Sequence, residues 1–344
     1  MTHLKERLAH LHVTYMTQIT SLIDDTVAGA TGKPTSLATM LSYHMSTGGK
    51  RLRALLPLAL AQVLGHDADA LVPFGAACEL LHNATLVHDD LQDGDRVRRG
   101  KPTIWVEYGQ ARAINLGDAM LYYTLLLLGQ LDAPVELKYA VQERLIRETL
   151  RVIDGQDREF LLQSMQAPAF GDYIDMVEGK TSGLFSLPLA GAALLCGAPQ
   201  ELVEALEVAS ADLGVVFQVQ DDLLDIYGDK GREHRGTDIA EGKISMLVVH
   251  ALEHASQEDA AWLKDLLGRA RDSVTRDEIE QAIGVLERAG AVERAVQEID
   301  HRIDRVMNQA IWSHYPQVRL MLEQVSEVFL MGLPPELRAT SNAT

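Results

Sequence analysis

Twice in this chain an apolar helical segment runs into the same arrangement of acids. In the first, Leu80, Leu81, Ala84 and Val87 fall at helical spacing and lead into Asp89, Asp90 and Asp93. In the second, residues 214–220 lead into Asp221, Asp222 and Asp225. Asp89 and Asp93 are four apart, which puts both carboxylates on one helix face. Gly94 and Gly228 follow the two triplets, so both lie near helix C-termini. That is an unfavourable end for anions, because the macrodipole is negative there and like charges at this spacing repel. The first triplet therefore needs positive charge, from Arg96, Arg98, Arg99 or a divalent cation. One such triplet alone is more often a solvated helix end than a metal site; two make a shared metal site the better reading. If the two helix ends face each other, six carboxylates surround one space. Without metal that space would carry severe repulsion or raised pKa values. With several Mg²⁺ ions, which favour carboxylate and phosphate oxygens, it becomes a clamp for a diphosphate.

The rest of the sequence is helical in period, and strand alternation is nearly absent. Helices are expected over 3–28, from Ser36 as N-cap to Met45, over about 51–64, through the first acids, over about 108–131, and from Val135 past Gln163. Gly171–Val177 and Thr181–Cys196 read as one broken or two short helices. A long helix starts at Pro199 and ends at Tyr227, and four or five shorter ones fill 244–331. Residues 94–104 and 228–243 read as charged loops. No linker divides the 344 residues, which predicts a single all-α domain over 1–333, its long helices around a central cavity, and a mobile tail over 334–344. With 31 Lys+Arg against 49 Asp+Glu, the net charge of -18 excludes a nucleic-acid binder, whose footprint would be basic. Cys78 and Cys196, unpaired in spacing, read as buried thiols. No signal peptide is evident, and the longest apolar stretch, 184–198, is too short to span a bilayer. A soluble, cytoplasmic protein is expected.

Other residues stand out against this acidic background. Gly48-Gly49-Lys50-Arg51-Leu52-Arg53 offers close backbone approach with an ammonium and guanidinium forks, though by itself such a segment is more often a solvated basic turn. His82 lies two turns before Asp89 on the same face; alone it would be an ordinary core histidine. Lys180-Thr181 follows Gly179 at an expected helix start, where backbone N–H groups, a hydroxyl and an ammonium suit an anion or the counter-charge of a developing cation, or form an ordinary cap. Gln218 lies one turn before Asp221, and Lys243 follows Gly242 in the later loop.

These segments resemble the trans-type isoprenyl diphosphate synthases. The matching stretches are Gly-Gly-Lys-Arg-Leu-Arg (48–53), His-Asp-Asp-Leu-Gln-Asp (88–93), Arg-Arg-Gly-Lys-Pro-Thr (98–103), Gly-Asp-Ala (117–119), Gly-Lys-Thr (179–181), Phe-Gln-Val-Gln-Asp-Asp-Leu-Leu-Asp (217–225), and Gly-Thr-Asp-Ile (236–239) with Gly-Lys (242–243). Each is weak alone; together, in family order, they are specific. The resemblance implies the isoprenoid synthase fold, a homodimer, and Mg²⁺-dependent head-to-tail condensation of isopentenyl diphosphate onto an allylic diphosphate. It implies three Mg²⁺ ions, with Asp89 and Asp93 as ligands of two, Asp221 of the third, and Asp225 in support. By the same resemblance, Arg98, Lys180 and Lys243 grip the allylic diphosphate, while Lys50, Arg53, His82 and Arg99 bind the diphosphate of isopentenyl diphosphate. The Thr181 hydroxyl, the Gln218 amide and backbone carbonyls stabilise the allylic cation. The chain departs from the family at Ala54, where proline is usual, and at Glu159, where aspartate is usual. In place of the usual lid lysine it has Arg232, His234 and Arg235.

Product length follows from the wall of the same helix. The growing tail is expected to pass Thr85, Ala84 and Leu81, and neither of the first two is aromatic, so the shallow block typical of fifteen-carbon synthases is missing. Tyr122 or Tyr123 is expected to supply a deeper floor, which gives geranylgeranyl diphosphate (C20). The alternatives are a longer-chain polyprenyl or a farnesyl product, and more remotely a class I terpene cyclase or a non-catalytic subunit of a heteromeric synthase.

Overall fold

Sixteen α-helices, four short 3₁₀ turns and one hairpin of two-residue strands make up the regular structure of the described residues, which is helical as the apolar period predicts. The structure, a computed structural model, describes residues 3–33, 35–228 and 235–338. In chain order the first helices are α1 (His3–Thr31), α2 (Ser36–Met45), α3 (Leu52–Val63) and α4 (Val72–Gln92). Next come strands β1 (Val97–Arg98) and β2 (Lys101–Pro102), then α5 (Ile104–Tyr108), α6 (Gln110–Gly129) and α7 (Val135–Ser164). They are followed by α8 (Phe170–Lys180), α9 (Gly183–Leu195), α10 (Gln200–Tyr227), α11 (Thr237–Ala240), α12 (Met246–His254), α13 (Gln257–Leu267), α14 (Arg276–Arg288), α15 (Ala291–Met307) and α16 (Pro316–Leu330). These helices distribute over two units: Met1–Thr149 with Leu184–Glu207 and Tyr315–Met321, and Leu150–Gly183 with Val208–His314 and Leu322–Thr344.

In the first unit α4 packs against α1, α3 and α6. Leu80, Leu81, Ala84 and Val87, the apolar stripe expected from sequence, are all buried. By length and composition α4 with the turn before it could cross a bilayer, a feature the sequence reading had missed, but 72% of its apolar window is buried inside the chain. It is the core helix of this unit. Thr35, not Ser36, caps α2, its hydroxyl accepting from the Ala38 N–H at 3.2 Å. The helix expected over 108–131 is broken at Gly109, whose φ of 93° ends α5 and starts α6. The loop expected over 94–104 contains the hairpin, with Val97 opposite Pro102 and Arg98 opposite Lys101. Its two turn residues, Arg99 and Gly100, both have positive φ, as a tight two-residue hairpin turn requires.

In the second unit α12 packs on α8, α13, α14 and α15. A buried ionic knot ties three of this unit's helices. Arg302 on α15 donates to Asp212 on α10 at 2.9 Å and to Glu298 at 2.7 Å, with Glu178 on α8 at 3.5 Å. A buried pair of this kind is expensive to break, because each partner left alone is an uncompensated charge. Part of the expected mobile tail is structured. Pro335–Leu337 form a single turn, and Arg338 donates to the carbonyls of Leu333 and Met331 at 2.7 and 2.8 Å. Residues 339–344 lie outside the described residues.

Candidate active site

In the first unit Asp89 lies in the last turn of α4 and Asp93 is its C-cap, its N–H bonding to the Asp89 carbonyl at 2.9 Å. Of the candidate arginines, Arg98 meets the acids. Its Nε and Nη2 lie 2.5 Å from Asp90 Oδ1, and Nη2 lies 3.8 Å from Asp89 Oδ2. Burial pushes the Asp90 carboxyl up to about 7, against the pull of Arg98. Arg96 instead lies over the Trp105 ring.

Arg99 reaches the glycine turn before α3 and donates to the Gly48 carbonyl. Its guanidinium covers Gly49 so closely that a Cβ there would sit 2.6 Å from Nη1, and Gly49 itself has φ 124°. Only glycine meets both demands. Lys50 is exposed on the same turn. Arg53, one turn residue and one helical residue further on, is buried with its Cζ 4.7 Å from the Phe185 ring centroid. Burial lowers its pKa to about 10, with Glu79 opposing and Arg99 adding to the drop. Burial also pushes His82 well below the usual histidine range, and the charges of Arg53, Arg98 and Arg99 push it further. Its ring is therefore neutral, and His82 Nδ1 and Thr47 Oγ1 are buried without hydrogen-bond partners. Arg53, His82, Arg98 and Arg99, chosen from three separated stretches of sequence, thus share one electrostatic neighbourhood.

Beneath them lies a network the sequence reading missed. Glu79 accepts from Arg51 at 3.0 Å, from Asn83 at 3.0 Å and from the Ala54 N–H at 3.2 Å. The Asn83 side-chain oxygen is 3.1 Å from His44 Nε2. The available signal was a carboxylate and an amide four apart in an otherwise apolar stripe, which a buried helix carries only when they are partnered.

The expected product-length residues lie on the facing helices of this unit. Leu81 and Ala84 are buried, and Thr85 is half-buried with its hydroxyl donating to the His82 carbonyl at 2.8 Å. Tyr123 is buried on α6. Tyr122 is 70% exposed, because the packed face of α6 runs through Leu116, Met120, Tyr123 and Leu127. The expectation that either tyrosine floors the pocket therefore narrows, within one chain, to Tyr123.

In the second unit the three acids of α10 differ sharply. Asp222 is buried and accepts from the Tyr173 hydroxyl at 2.8 Å, the Met246 N–H at 2.9 Å and the Gln218 amide at 3.2 Å. Burial pushes its carboxyl up to about 7 despite these donors. Asp225 is also buried, one oxygen accepting from Thr237 at 3.0 Å and the other from the Asp238 N–H at 3.1 Å. Asp221 is half-buried.

Lys180 and Thr181 do not begin a helix. Lys180 is the last residue of α8 and Thr181 its C-cap, with its N–H satisfied by the Val177 carbonyl at 2.9 Å. Gly179 does not break α8; it packs against Gly155 of α7, where a Cβ would fall 2.0 Å from the Lys180 nitrogen. The consequence reverses the local field: a helix C-terminus presents carbonyls, which suit a cation. The Thr181 hydroxyl donates to Gln218 Oε1 at 3.2 Å, and the Lys180 ammonium lies 2.6 Å from Glu159. Lys243 lies 3.1 Å from Glu241 and 3.9 Å from Asp238. Of the three lid candidates, Arg232 and His234 lie outside the described residues, and Arg235 pairs with Glu280 on the surface.

Comparisons with known proteins agree with these motifs. A family model described as polyprenyl synthetase matches residues 34–286. A geranylgeranyl diphosphate synthase of Mycobacterium tuberculosis is 36% identical over 281 residues, covering 78% of this chain and 79% of its own. A short chain isoprenyl diphosphate synthase of Methanocaldococcus jannaschii is 32% identical over 271 residues, 77% of this chain and 80% of its own. Among solved structures, a polyprenyl synthase from Caulobacter crescentus, complexed with calcium and isoprenyl diphosphate, has a TM-score of 0.83 at 25% identity. It covers 94% of this chain and 97% of its own.

Proposed function

We propose, from the premise that this chain belongs to the polyprenyl synthetase family and is a prenyltransferase, that it condenses isopentenyl diphosphate head-to-tail with an allylic diphosphate to give geranylgeranyl diphosphate. The observation that carries this reading is the convergence of Arg53, His82, Arg98 and Arg99 in one unit. Three guanidiniums around a neutral, partly unpartnered imidazole suit a multiply charged anion with many acceptor oxygens. The family match over 34–286 supports taking 1–333 as one catalytic domain.

Asp89, Asp93 and Asp221 are hard oxygen donors and fit Mg²⁺; we assign them as its ligands, with three ions in the loaded enzyme. Asp225, whose oxygens already accept from Thr237 and Asp238, fits a supporting role. When bound, Mg²⁺ supplies neutralisation of the pyrophosphate charge as it leaves. Arg98, Lys180 and Lys243 hold the allylic diphosphate, the two lysines exchanging Glu159 and Glu241 for phosphate oxygens. Lys50, Arg53, His82 and Arg99 hold the diphosphate of the nucleophile. The Thr181 hydroxyl oxygen, the Gln218 amide oxygen and the carbonyl end of α8 present negative dipoles to the allylic cation. The double bond attacks, and the released pyrophosphate takes the proton, so no protein base is needed. The apolar wall of α4 excludes water that would quench the cation.

A C20 product is supported by the small side chains of Ala84 and Thr85, by buried Tyr123, and by the relatives named geranylgeranyl diphosphate synthases. A homodimer is supported by the exposed apolar stripe of α7, Tyr139, Ile146, Leu150 and Ile153, at near-heptad spacing. Sedimentation of the purified chain tests it, and a monomer at micromolar concentration would count against it. The functional test is incubation of the purified chain with farnesyl diphosphate, labelled isopentenyl diphosphate and Mg²⁺, followed by chromatography. A twenty-carbon diphosphate is expected; a cyclised hydrocarbon or no product refutes the reading.

A further inference from the structure

We infer that Glu79 is a positioning residue for isopentenyl diphosphate, acting through Arg51 to hold the glycine turn and the start of α3 where Lys50 and Arg53 can grip a diphosphate. The inference rests on the function proposed above. Among the described residues, Arg51 and Arg99 are the two non-glycine residues with positive φ, and both lie at the basic cluster. Left-handed backbone at a side-chain-bearing residue is unfavourable and persists where the surroundings dictate it. For Arg99 the hairpin turn dictates it. For Arg51, at φ 52° and ψ 29°, no hairpin is present.

Arg51 stands at the N-cap of α3 and gives that helix no side-chain cap. Glu79, from α4, takes over. Its Oε2 accepts the Ala54 N–H of the α3 first turn at 3.2 Å, sharing that donor with the Arg51 carbonyl, also at 3.2 Å. Its Oε1 accepts from Arg51 Nη1 at 3.0 Å. One carboxylate therefore caps the helix and latches the strained residue before it. Asn83 donates to the same carboxylate and to the Glu79 carbonyl, and His44 braces Asn83. Arg51 is closed from the other side by the Met45 carbonyl. The Arg51 guanidinium is thus held inward by Glu79 and Met45, and the latch fixes the backbone that carries Lys50 and Arg53 on either side of it. Glu79 is 3% exposed and shut off from solvent, so its effect on binding passes through the groups it holds.

Steady-state kinetics of the full chain tests this, with isopentenyl and farnesyl diphosphates varied in turn, on wild type, Glu79→Gln, Arg51→Met and the double variant. Each single substitution is expected to raise KM for isopentenyl diphosphate about tenfold, with kcat and the allylic KM moving less than about twofold. The double variant should be no worse than the worse single, because both undo one latch. An equal rise in both KM values, a loss of thermal stability with unchanged KM, or multiplying effects would overturn the inference. If Glu79→Gln does not fold, Arg51→Lys carries the same expectation in smaller degree, since an ammonium lacks the fork. A wild type that elongates nothing refutes the functional reading itself, which separates that failure from an unchanged KM in an active enzyme.

Discussion

Asp221 and Asp222 are neighbours in sequence with opposite duties. Asp222 satisfies the Tyr173 hydroxyl and the Met246 N–H inside the second unit. Asp222→Ala leaves both donors buried and unpaired, and should destabilise the chain by about 3 kcal/mol in urea unfolding. Asp221→Ala should change stability by less than about 0.5 kcal/mol and lower elongation at least about a hundredfold. Equal stability losses would mean that Asp221 is structural too. His44 gives a pH prediction. Burial holds its pKa at about 3 in the folded chain, far below that of an exposed histidine. Between about pH 6.5 and 3 the unfolded chain therefore binds one more proton at this residue. Its stabilising contribution is complete above that window and is lost on acidification, by about 1.4 kcal/mol per pH unit. Asp90 and Asp222, raised to about 7, work in the opposite sense over the upper part of the window. Comparison with His44→Gln cancels them. The stability gap between wild type and variant should shrink or reverse as pH falls from 6.5, and parallel profiles would contradict the assignment. At this scale the spacing of Asp89, Asp93 and Asp221 was legible in the sequence. The roles of Glu79, Asn83 and His44 were not, because their partners lie up to 39 residues away in the chain.

Element boundaries followed the apolar period closely, and the misses have local causes. Lys180-Thr181 reads as a helix start because the glycine before it, Gly179, would ordinarily interrupt a helix. Here that glycine serves close approach to Gly155, and the helix runs on to Lys180. The Arg98–Lys101 hairpin escaped notice because strands of two residues carry no alternation. The crossing of α7 and α8 makes a prediction. Gly155→Ala drives a methyl against the Lys180 backbone and should cost about 2 kcal/mol while raising the KM for the allylic diphosphate. Unfolding and initial-rate measurements check the two parts, and a variant with native stability and kinetics would show that the contact relaxes freely. On α6 the two adjacent tyrosines separate by exposure. Tyr123→Ala is expected to lengthen the chromatographed product beyond twenty carbons and Tyr122→Ala to leave it unchanged. An unchanged length for Tyr123→Ala would remove it as the floor.

For the molecule as a whole, the repeated acid device and seven short motifs carried both fold class and reaction class, because the chemistry demands those residue types at those spacings. The family match and the helical structure agree with that reading. What the sequence left open is how buried charges such as Arg302 and Glu79 are compensated, which depends on tertiary partners rather than local pattern. The central claim is that aspartates at the ends of α4 and α10 act with Mg²⁺ to release an allylic diphosphate for elongation. Its most direct test is transfer of labelled isopentenyl diphosphate to farnesyl diphosphate by the purified chain, with Mg²⁺ present or chelated. The account predicts a twenty-carbon diphosphate with Mg²⁺ and none after chelation. Elongation undiminished by chelation, or absent with Mg²⁺ and both substrates, would contradict it.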